Sequence, residues 1–540
     1  MPTLTIVLQS WFDRAALILP MLSLPLLLLA ILAWGRALPL RRLTESDFFV
    51  RIVVAAGSAT VLLYLGQIAA YLAYPGFVDH VQTTITVMSY MAVNGKEVYS
   101  PPAAAGIYGM PYGPILFLAN GLGLLLVQST LGSKLPGIVA LISALAAMAQ
   151  PLQRQLKNRV ALFLALASLL ALLLPYGLFA YWNRPESFLL LCAALALAAL
   201  QLPRVAANLA MGMLLGLAAG LKLHGFVFVA PAALALIGRD AGWRRKAVSA
   251  LVQALTGAAV FLAPFSLSNV SAAGYYDYLS MAAGHAVDPW MLGVSLAFAA
   301  AFVGPPALVY AWRRPVLASE DRWLLCGFLA ATAAAVLVAG RVEAGPYHIL
   351  PMIPVGLYAT AVVADRSKAG RQLPLAQANL WAAGLVLALL AGGTGFLRNY
   401  GGLSVVELLQ NRPAMTEATA ELVDLARQYP EAQMAVSDDD RYWLAMQDAA
   451  LVMRSGRIAI DYATWMDLVF VGADSNRLMR YVDRCAVPAW IMPGAGTPFS
   501  LRSLYTGAPL FSDDFRRRFL ENYVEARAGR FYRVWTCRAG

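Results

Sequence analysis

Apolar runs recur along the first four hundred positions, at about 15 to 35, 52 to 75, 133 to 151, 160 to 181, 247 to 268, 290 to 311, 322 to 340, 347 to 364 and 377 to 397, with shorter runs at 186 to 202 and 205 to 238. A helix needs about 20 apolar residues to cross a hydrocarbon layer about 30 Å thick. The pattern therefore predicts a polytopic helical membrane protein. The first run has no basic leader, exceeds a signal-peptide core and follows Asp13 and Arg14, so it reads as a retained helix. The run from 205 to 238 is interrupted by the polar stretch Gly220 to Gly225, which predicts two short helices meeting there. Residues 112 to 131 begin with Pro114 after Pro111 and contain Gly121 and Gly123, which predicts a helix lying at the membrane surface. About twelve crossings result.

Beyond residue 397 the apolar runs stop. Turn and helix signals alternate with strand-like runs at Met434 to Ser437, Ile458 to Ile460 and Leu468 to Val471, predicting an α/β domain at 398–540 after a transmembrane domain at 1–397.

Charge decides the orientation. The chain of 540 residues is 60% hydrophobic, 13% charged and carries +11, whereas a soluble domain is about 45 to 50% apolar and about 25% charged. A wholly soluble, disordered or fibrous protein is excluded. After residue 397 there are 17 cations and 17 anions, which leaves 24 against 13 before it. The excess sits in short loops such as Arg36/Arg41/Arg42/Arg51, Arg239/Arg244/Arg245/Lys246 and Arg366/Lys368/Arg371. By the positive-inside rule these loops are cytoplasmic; no basic face suited to nucleic acid remains. Residues 76 to 132, 183 to 185, 222 to 224, 269 to 289, 341 to 346 and everything after 397 then fall on the exported side, with two long exported loops at 76–132 and 269–289. The predicted location is the inner (plasma) membrane with the C-terminal domain periplasmic. Cys485 and Cys537, the two cysteines of that domain, are disulfide candidates in an oxidising compartment.

The same orientation gathers all four histidines, His80, His224, His285 and His348, at the exported face. Asp79, Lys96, Glu97, Arg184, Glu186, Lys222, Asp277, Asp288, Arg341 and Glu343 join them. Each alone also suits contact with headgroups or water. Ionisable groups at membrane depth are costly and usually face a cavity or a partner, so the set predicts one polar pocket built by several loops. Asp79, a few residues past a helix end, stands where a lipid-linked substrate presents its headgroup.

Several short motifs carry a resemblance. Asp79 just past an early helix, Gly95-Lys-Glu-Val98-Tyr99, Tyr112-Gly113-Pro114, Gly220-Leu-Lys222-Leu-His224-Gly225 and Tyr347-His348-Ile-Leu-Pro351 are similar to the glycosyltransferase C superfamily over roughly residues 50 to 400. Its members include bacterial mannosyltransferases and the aminoarabinose transferase of lipid A, polytopic enzymes that use polyprenyl-phosphate sugars. The resemblance implies transfer of a sugar to a glycan, lipid or protein acceptor of the envelope, with inversion and with Asp79 as general base. It implies that Lys222, Arg341, His224 and His348 hold the donor phosphate. The further active-site candidates are His80, Tyr99, Tyr112, Arg184, Asp277, His285, Asp288, Glu343 and Tyr347. A phosphate ester leaves without needing a proton, so no cofactor is required. A divalent ion would have Asp79, His80 and the second exported loop as its ligands, in no compact ligand motif. Many relatives carry two adjacent acids where this chain has Asp79-His80.

The rival reading is a polytopic transporter or lipid flippase, for which the broken 205 to 238 segment speaks. Transporters usually show internal repeats and midplane sites, and neither is visible. Asp438-Asp-Asp440 and Arg516-Arg-Arg518 read as a solvated turn and a solvated helix face. No phosphate-binding loop, dinucleotide fingerprint or HExxH is present.

Overall fold

The computed structural model describes residues 47–100, 106–342, 344–367, 374–397, 405–438, 442–494 and 496–538. The apolar run at 15 to 35, Glu343 and the acids at 439 and 440 lie outside the described residues.

The apolar runs fold as helices: α1 Asp47–Ala73, α2 His80–Val93, α3 Pro114–Leu126, α4 Thr130–Gln155, α5 Arg159–Leu173, α6 Pro185–Ala199, α7 Arg204–Leu221, α8 Phe226–Gly238, α9 Trp243–Leu262, α10 Ala272–Ala283, α11 Pro289–Arg313, α12 Ser319–Ala339, α13 Ile353–Arg366 and α14 Pro374–Leu397. Among the described residues, eight helical segments are long and apolar enough to cross a membrane. Helix starts follow local chemistry. Proline occupies the first turn of α3, α6 and α11, where its missing N–H leaves nothing unsatisfied, and Asp79, Asn158, Ser271 and Asp288 cap α2, α5, α10 and α11 with their side chains.

The segment at 205–238 breaks where expected, and the one after Pro114 is a short helix. Lys222 adopts extended backbone between α7 and α8, followed by a 3-10 turn at Leu223–Gly225. Helix α3 has 13 residues and rises only about 20 Å, short of the hydrocarbon thickness.

Beyond α14 come α15 Val405–Gln428, β1 Gln433–Met434, α16 Tyr442–Ala445, α17 Asp448–Ser455, α18 Tyr462–Phe470, α19 Met479–Asp483, β2 Ala489–Pro493, α20 Asp513–Asn522, β3 Tyr523–Ala528 and β4 Tyr532–Cys537. The sheet order is β1-β2-β4-β3, parallel between β1 and β2 and antiparallel elsewhere. A separate core of Trp465, Trp490, Phe499, Phe511, Phe515, Phe519 and Tyr532 fills it. Cys485 and Cys537 are bonded, with Cα atoms 5.8 Å apart. Only the first strand-like run contributes a strand, β1. Ile460 makes an isolated parallel bridge to Ile107. Leu468 to Phe470 instead end α18, because a short apolar run fits either element and Asp461 caps a helix there through Thr464 N at 2.8 Å.

The C-terminal part is fastened to α2. Asp448 accepts a hydrogen bond from Thr83 Oγ1, Asp461 accepts one from Thr84 Oγ1 at 2.7 Å, and Thr464 Oγ1 donates to Gly109 O at 2.5 Å. Burial, reinforced by the neighbouring Asp461, pushes the Asp448 carboxyl up to about 7. An acid whose folded pKa lies above its unfolded value opposes folding once ionised, so stability falls as pH rises from the unfolded value through about 7. The melting temperature of the full chain in detergent should therefore drop between pH 5 and pH 8, and Asp448→Asn should flatten that drop while Thr83 keeps a side-chain acceptor. An unchanged slope in the variant would assign the pH dependence elsewhere.

Candidate active site

The site is assembled from the ends of α1, α2, α6, α7 and the turn before α13. Lys134 of α4 is fully buried and donates to Tyr71 O at 2.9 Å and Tyr74 O at 2.6 Å, satisfying carbonyls that the end of α1 leaves open. Gln82 Nε2 donates to the Tyr71 hydroxyl at 2.5 Å while its Oε1 accepts from Val78 N at 3.0 Å. These bonds fix the chain between the two helices, and so fix Asp79.

Asp79 Oδ1 accepts from Val81 N at 2.8 Å and Oδ2 accepts from Arg184 Nη1 at 2.9 Å. Its side chain is 19% exposed. Arg184 precedes Pro185 at the start of α6, and its guanidinium lies 5.0 to 5.2 Å from the ring centres of Phe179, Trp182 and Tyr347. Nη2 reaches the Tyr112 hydroxyl at 3.1 Å. Two residues on, Glu186 is buried with Oε1 3.4 Å from Lys222 Nζ and 3.9 Å from His348 Nδ1, and with Oε2 3.9 Å from Arg184 Nε. Lys222 Nζ is 2.6 Å from His348 Nδ1. An ammonium has no acceptor, so Nδ1 accepts. The Lys222 ammonium also lies 5.2 Å from the Tyr112 ring centre, and the His224 ring is 6.0 Å from His348.

Glycine brings the motifs together. A Cβ at Gly113 would collide with the carbonyl of Gly220, and Gly113 N donates to Leu221 O at 3.1 Å. Backbones can approach this closely only without side chains between them, and the contact sets Tyr112 beside Lys222.

Asp79 and Glu186 against Arg184 and Lys222 make a neutral cluster. Among the described residues, Arg184 Nε and Glu186 Oε2 are buried without a hydrogen-bond partner. Leaving such atoms unpaired is expensive, and an orphaned donor beside an ammonium is suited to an incoming oxyanion.

The other expected residues divide. His80 Nδ1 is 3.3 Å from Asp79 Oδ1, and Tyr347 stacks between Phe179 and His348 at 4.2 and 4.3 Å, so both belong to the cluster. Tyr99 is buried against Phe117, Tyr275 and Tyr278 and donates to Tyr112 O at 2.6 Å, a supporting position. Asp288 caps α11 through Trp290 N at 2.9 Å. Asp277 lines a separate cavity of about 320 Å³ with Tyr278, Arg477 and Arg480. Arg341 lies at the rim, its Nη1 3.4 Å from the carbonyls of Ala282 and Ala283. His285 packs on Phe470 at 5.0 Å; burial and the Arg341 charge hold it below the usual histidine range. Among the described residues no three His, Cys, Asp or Glu side chains converge as metal ligands.

Sequence reasoning placed Glu186 in the polar pocket but gave it no role in the active site, although a lone acid beside Arg184-Pro185 at a helix start was a visible signal. It gave Lys134 no role, and it had no means of pairing Asp448 and Asp461 with α2, because those contacts span more than three hundred residues.

No protein-family model matches the sequence. None of the curated proteins matches it either. Two crystal structures of ArnT from Cupriavidus metallidurans match in structure. The apo form superposes with a TM-score of 0.52 at 13% identity, covering 89% of this chain and 98% of that one. The form bound to undecaprenyl phosphate gives 0.54 at 13% identity, covering 92% and 99%. At this identity the likeness is one of fold. This chain has the glycosyltransferase-C-like fold that ArnT presents.

Proposed function

We propose that the protein is a membrane glycosyltransferase that takes a sugar from a polyprenyl phosphate and gives it to an envelope acceptor on the exoplasmic, periplasmic side, with inversion. The observation that carries this reading is the direct pairing of Asp79 with Arg184 at 2.9 Å, beside Lys222. A base and two phosphate-binding cations then stand together at one reacting centre. Asp79 takes the acceptor hydroxyl proton; the hydroxyl oxygen attacks the anomeric carbon; the bond to the phosphate oxygen breaks, and the charge it leaves is received by Arg184 and Lys222. His348 and His224 flank Lys222 on the phosphate side, and Arg341 guards the rim. The carrier's apolar chain explains why the cluster sits where membrane helices end. Undecaprenyl phosphate, seen in one of the ArnT structures, is the carrier we assign. The chain divides at about residue 397 into the transmembrane catalytic part and a C-terminal part facing the acceptor.

The test is lipid extraction. Protein purified in mild detergent should carry undecaprenyl phosphate, detected by mass spectrometry, and Lys222→Met should reduce it about tenfold or more, since a hydrogen bond to a charged group contributes about 1.5 to 3 kcal/mol. No polyprenyl phosphate in the wild-type extract would sink the donor assignment. Counterflow of a lipid-linked substrate in liposomes without covalent product would support a transporter instead.

A further inference from the structure

We propose that the C-terminal domain completes the base: His80, Tyr505 and Asp467 form a proton path that empties Asp79 after each transfer. The proposal rests on the reading of Asp79 as the base and adds what becomes of its proton.

Every turnover leaves one proton on Asp79. Paired with Arg184 and largely covered by protein, this carboxyl has little direct contact with water, and it must be ionised again before the next acceptor is attacked. His80 is the group at hand. Its Nδ1 lies 3.3 Å from Asp79 Oδ1, and its Nε2 points the other way, 3.5 Å from the Tyr505 hydroxyl. Tyr505 sits at the tip of a hairpin of the C-terminal domain, held by a bridge between Arg502 and Pro509 and by Ser503 N donating to Ala508 O at 2.8 Å. Gly507, with φ of 68°, closes the turn. The Tyr505 side chain hydrogen-bonds in turn to Asp467 of α18. The four groups thus form a row from the first exported loop into the C-terminal domain.

The row balances as a proton shift. The acceptor O–H bond breaks and its proton goes to Asp79 Oδ1. Asp79 passes it to His80 Nδ1, the Nε2 proton of His80 moves to the Tyr505 oxygen, and the Tyr505 hydrogen passes to the Asp467 carboxylate. One proton has moved from acceptor to Asp467, and Asp79 is again a carboxylate facing an N–H; the His80 side chain, 14% exposed, then loses its Nδ1 proton to solvent and regains one at Nε2, which restores the starting tautomer.

The surroundings suit a receiving carboxylate. His80 is faced by Asp79, Tyr505, Tyr442, whose ring centre is 6.0 Å away, and Asp461. Asp467 is faced by Asp461, Tyr505 and Arg184. Burial, reinforced by Asp461, pushes the Asp467 carboxyl up to about 7, so it holds a proton delivered near neutral pH and returns it to solvent above that. It is the histidine that gives the row a second nitrogen to hand the proton on.

Tyr505 and Asp467 touch no substrate and act through His80, so the test needs a readout beyond lost rate. Transfer is measured from a panel of undecaprenyl-phosphate hexoses and pentoses in proteoliposomes, from pH 5.5 to 9, for the full chain and for Tyr505→Phe, Asp467→Asn, Asp467→Glu and Asp79→Asn. The wild type should show kcat rising through about pH 7. Tyr505→Phe and Asp467→Asn should lower kcat about tenfold or more at unchanged donor KM and lose that rise; Asp467→Glu should restore it. A wild-type pH profile in both of the first two variants, or a uniform loss with the same profile, overturns the path. Transfer at the wild-type rate in Asp79→Asn overturns the base itself, a separate result.

Discussion

Asp79→Asn should lower sugar transfer by a factor of about a hundred to ten thousand, the range a positioned general base supplies, while undecaprenyl phosphate binds at least as tightly as in the wild type. The two effects point in opposite directions for one reason. The amide oxygen still accepts from Val81 N, now 2.8 Å from Oδ1, so the cap of α2 survives. The negative charge opposite Arg184 Nη1 disappears, so the guanidinium keeps Glu186 and gains freedom to face a phosphate. A misfolded variant would lose both activity and lipid. The measurement is therefore a pair, the initial rate of transfer and the amount of carrier lipid retained by protein of unchanged melting temperature. Transfer at the wild-type rate removes Asp79 as the base; a parallel loss of rate and lipid assigns it to holding the site together.

That pairing of charges was only half visible in the sequence. Hydropathy and loop cations located the helices, and the break at Lys222 and the short helix after Pro114 could be read because proline and glycine act locally. The motif residues Asp79, Tyr112, Lys222 and His348 converge as the threading implied, since each terminates or precedes a helix at one end of the bundle. What could not be read is which cation meets which anion. The sequence implied Arg341 as a phosphate ligand and left Arg184 among the further candidates, yet the backbone bridge between Val287 and Arg341 holds Arg341 at the rim, while Pro185 starts α6 so that Arg184 and Glu186 point inward together. Asp277 and Asp288 share the loop chemistry of Asp79 but are spent on a neighbouring cavity and a helix cap. The C-terminal strands were misplaced for a different reason. A four-residue apolar run has no periodicity to choose between helix and strand, whereas β3 and β4 were unmarked because Glu525, Arg527 and Arg533 interrupt any apolar run there.

Arg184→Lys should keep the fold and lose most of the activity, by a factor of about a hundred to a thousand, the cost of removing a preorganised donor to a developing charge. The substitution conserves the cation, so Asp79 and Glu186 are not left as uncompensated buried charges, an outcome that costs about 3 to 5 kcal/mol and makes Arg184→Ala uninformative. What lysine lacks is the planar fork. The guanidinium serves Asp79 through Nη1 at 2.9 Å and Tyr112 through Nη2 at 3.1 Å, and turns Nε toward Glu186, all from one plane held among Phe179, Trp182 and Tyr347. An ammonium on a flexible stem can satisfy one of these directions well, and Glu186 or Asp79 will take it. The phosphate then loses the donor aimed at it, Tyr112 loses its partner, and the distance between base and leaving group is no longer fixed. Transfer kinetics with carrier-lipid retention separate the consequences: kcat should fall far more than lipid binding, because Lys222 still holds the phosphate. Equal losses in both would make Arg184 a binding residue alone, and wild-type kinetics would show that its fork plays no part in the reaction.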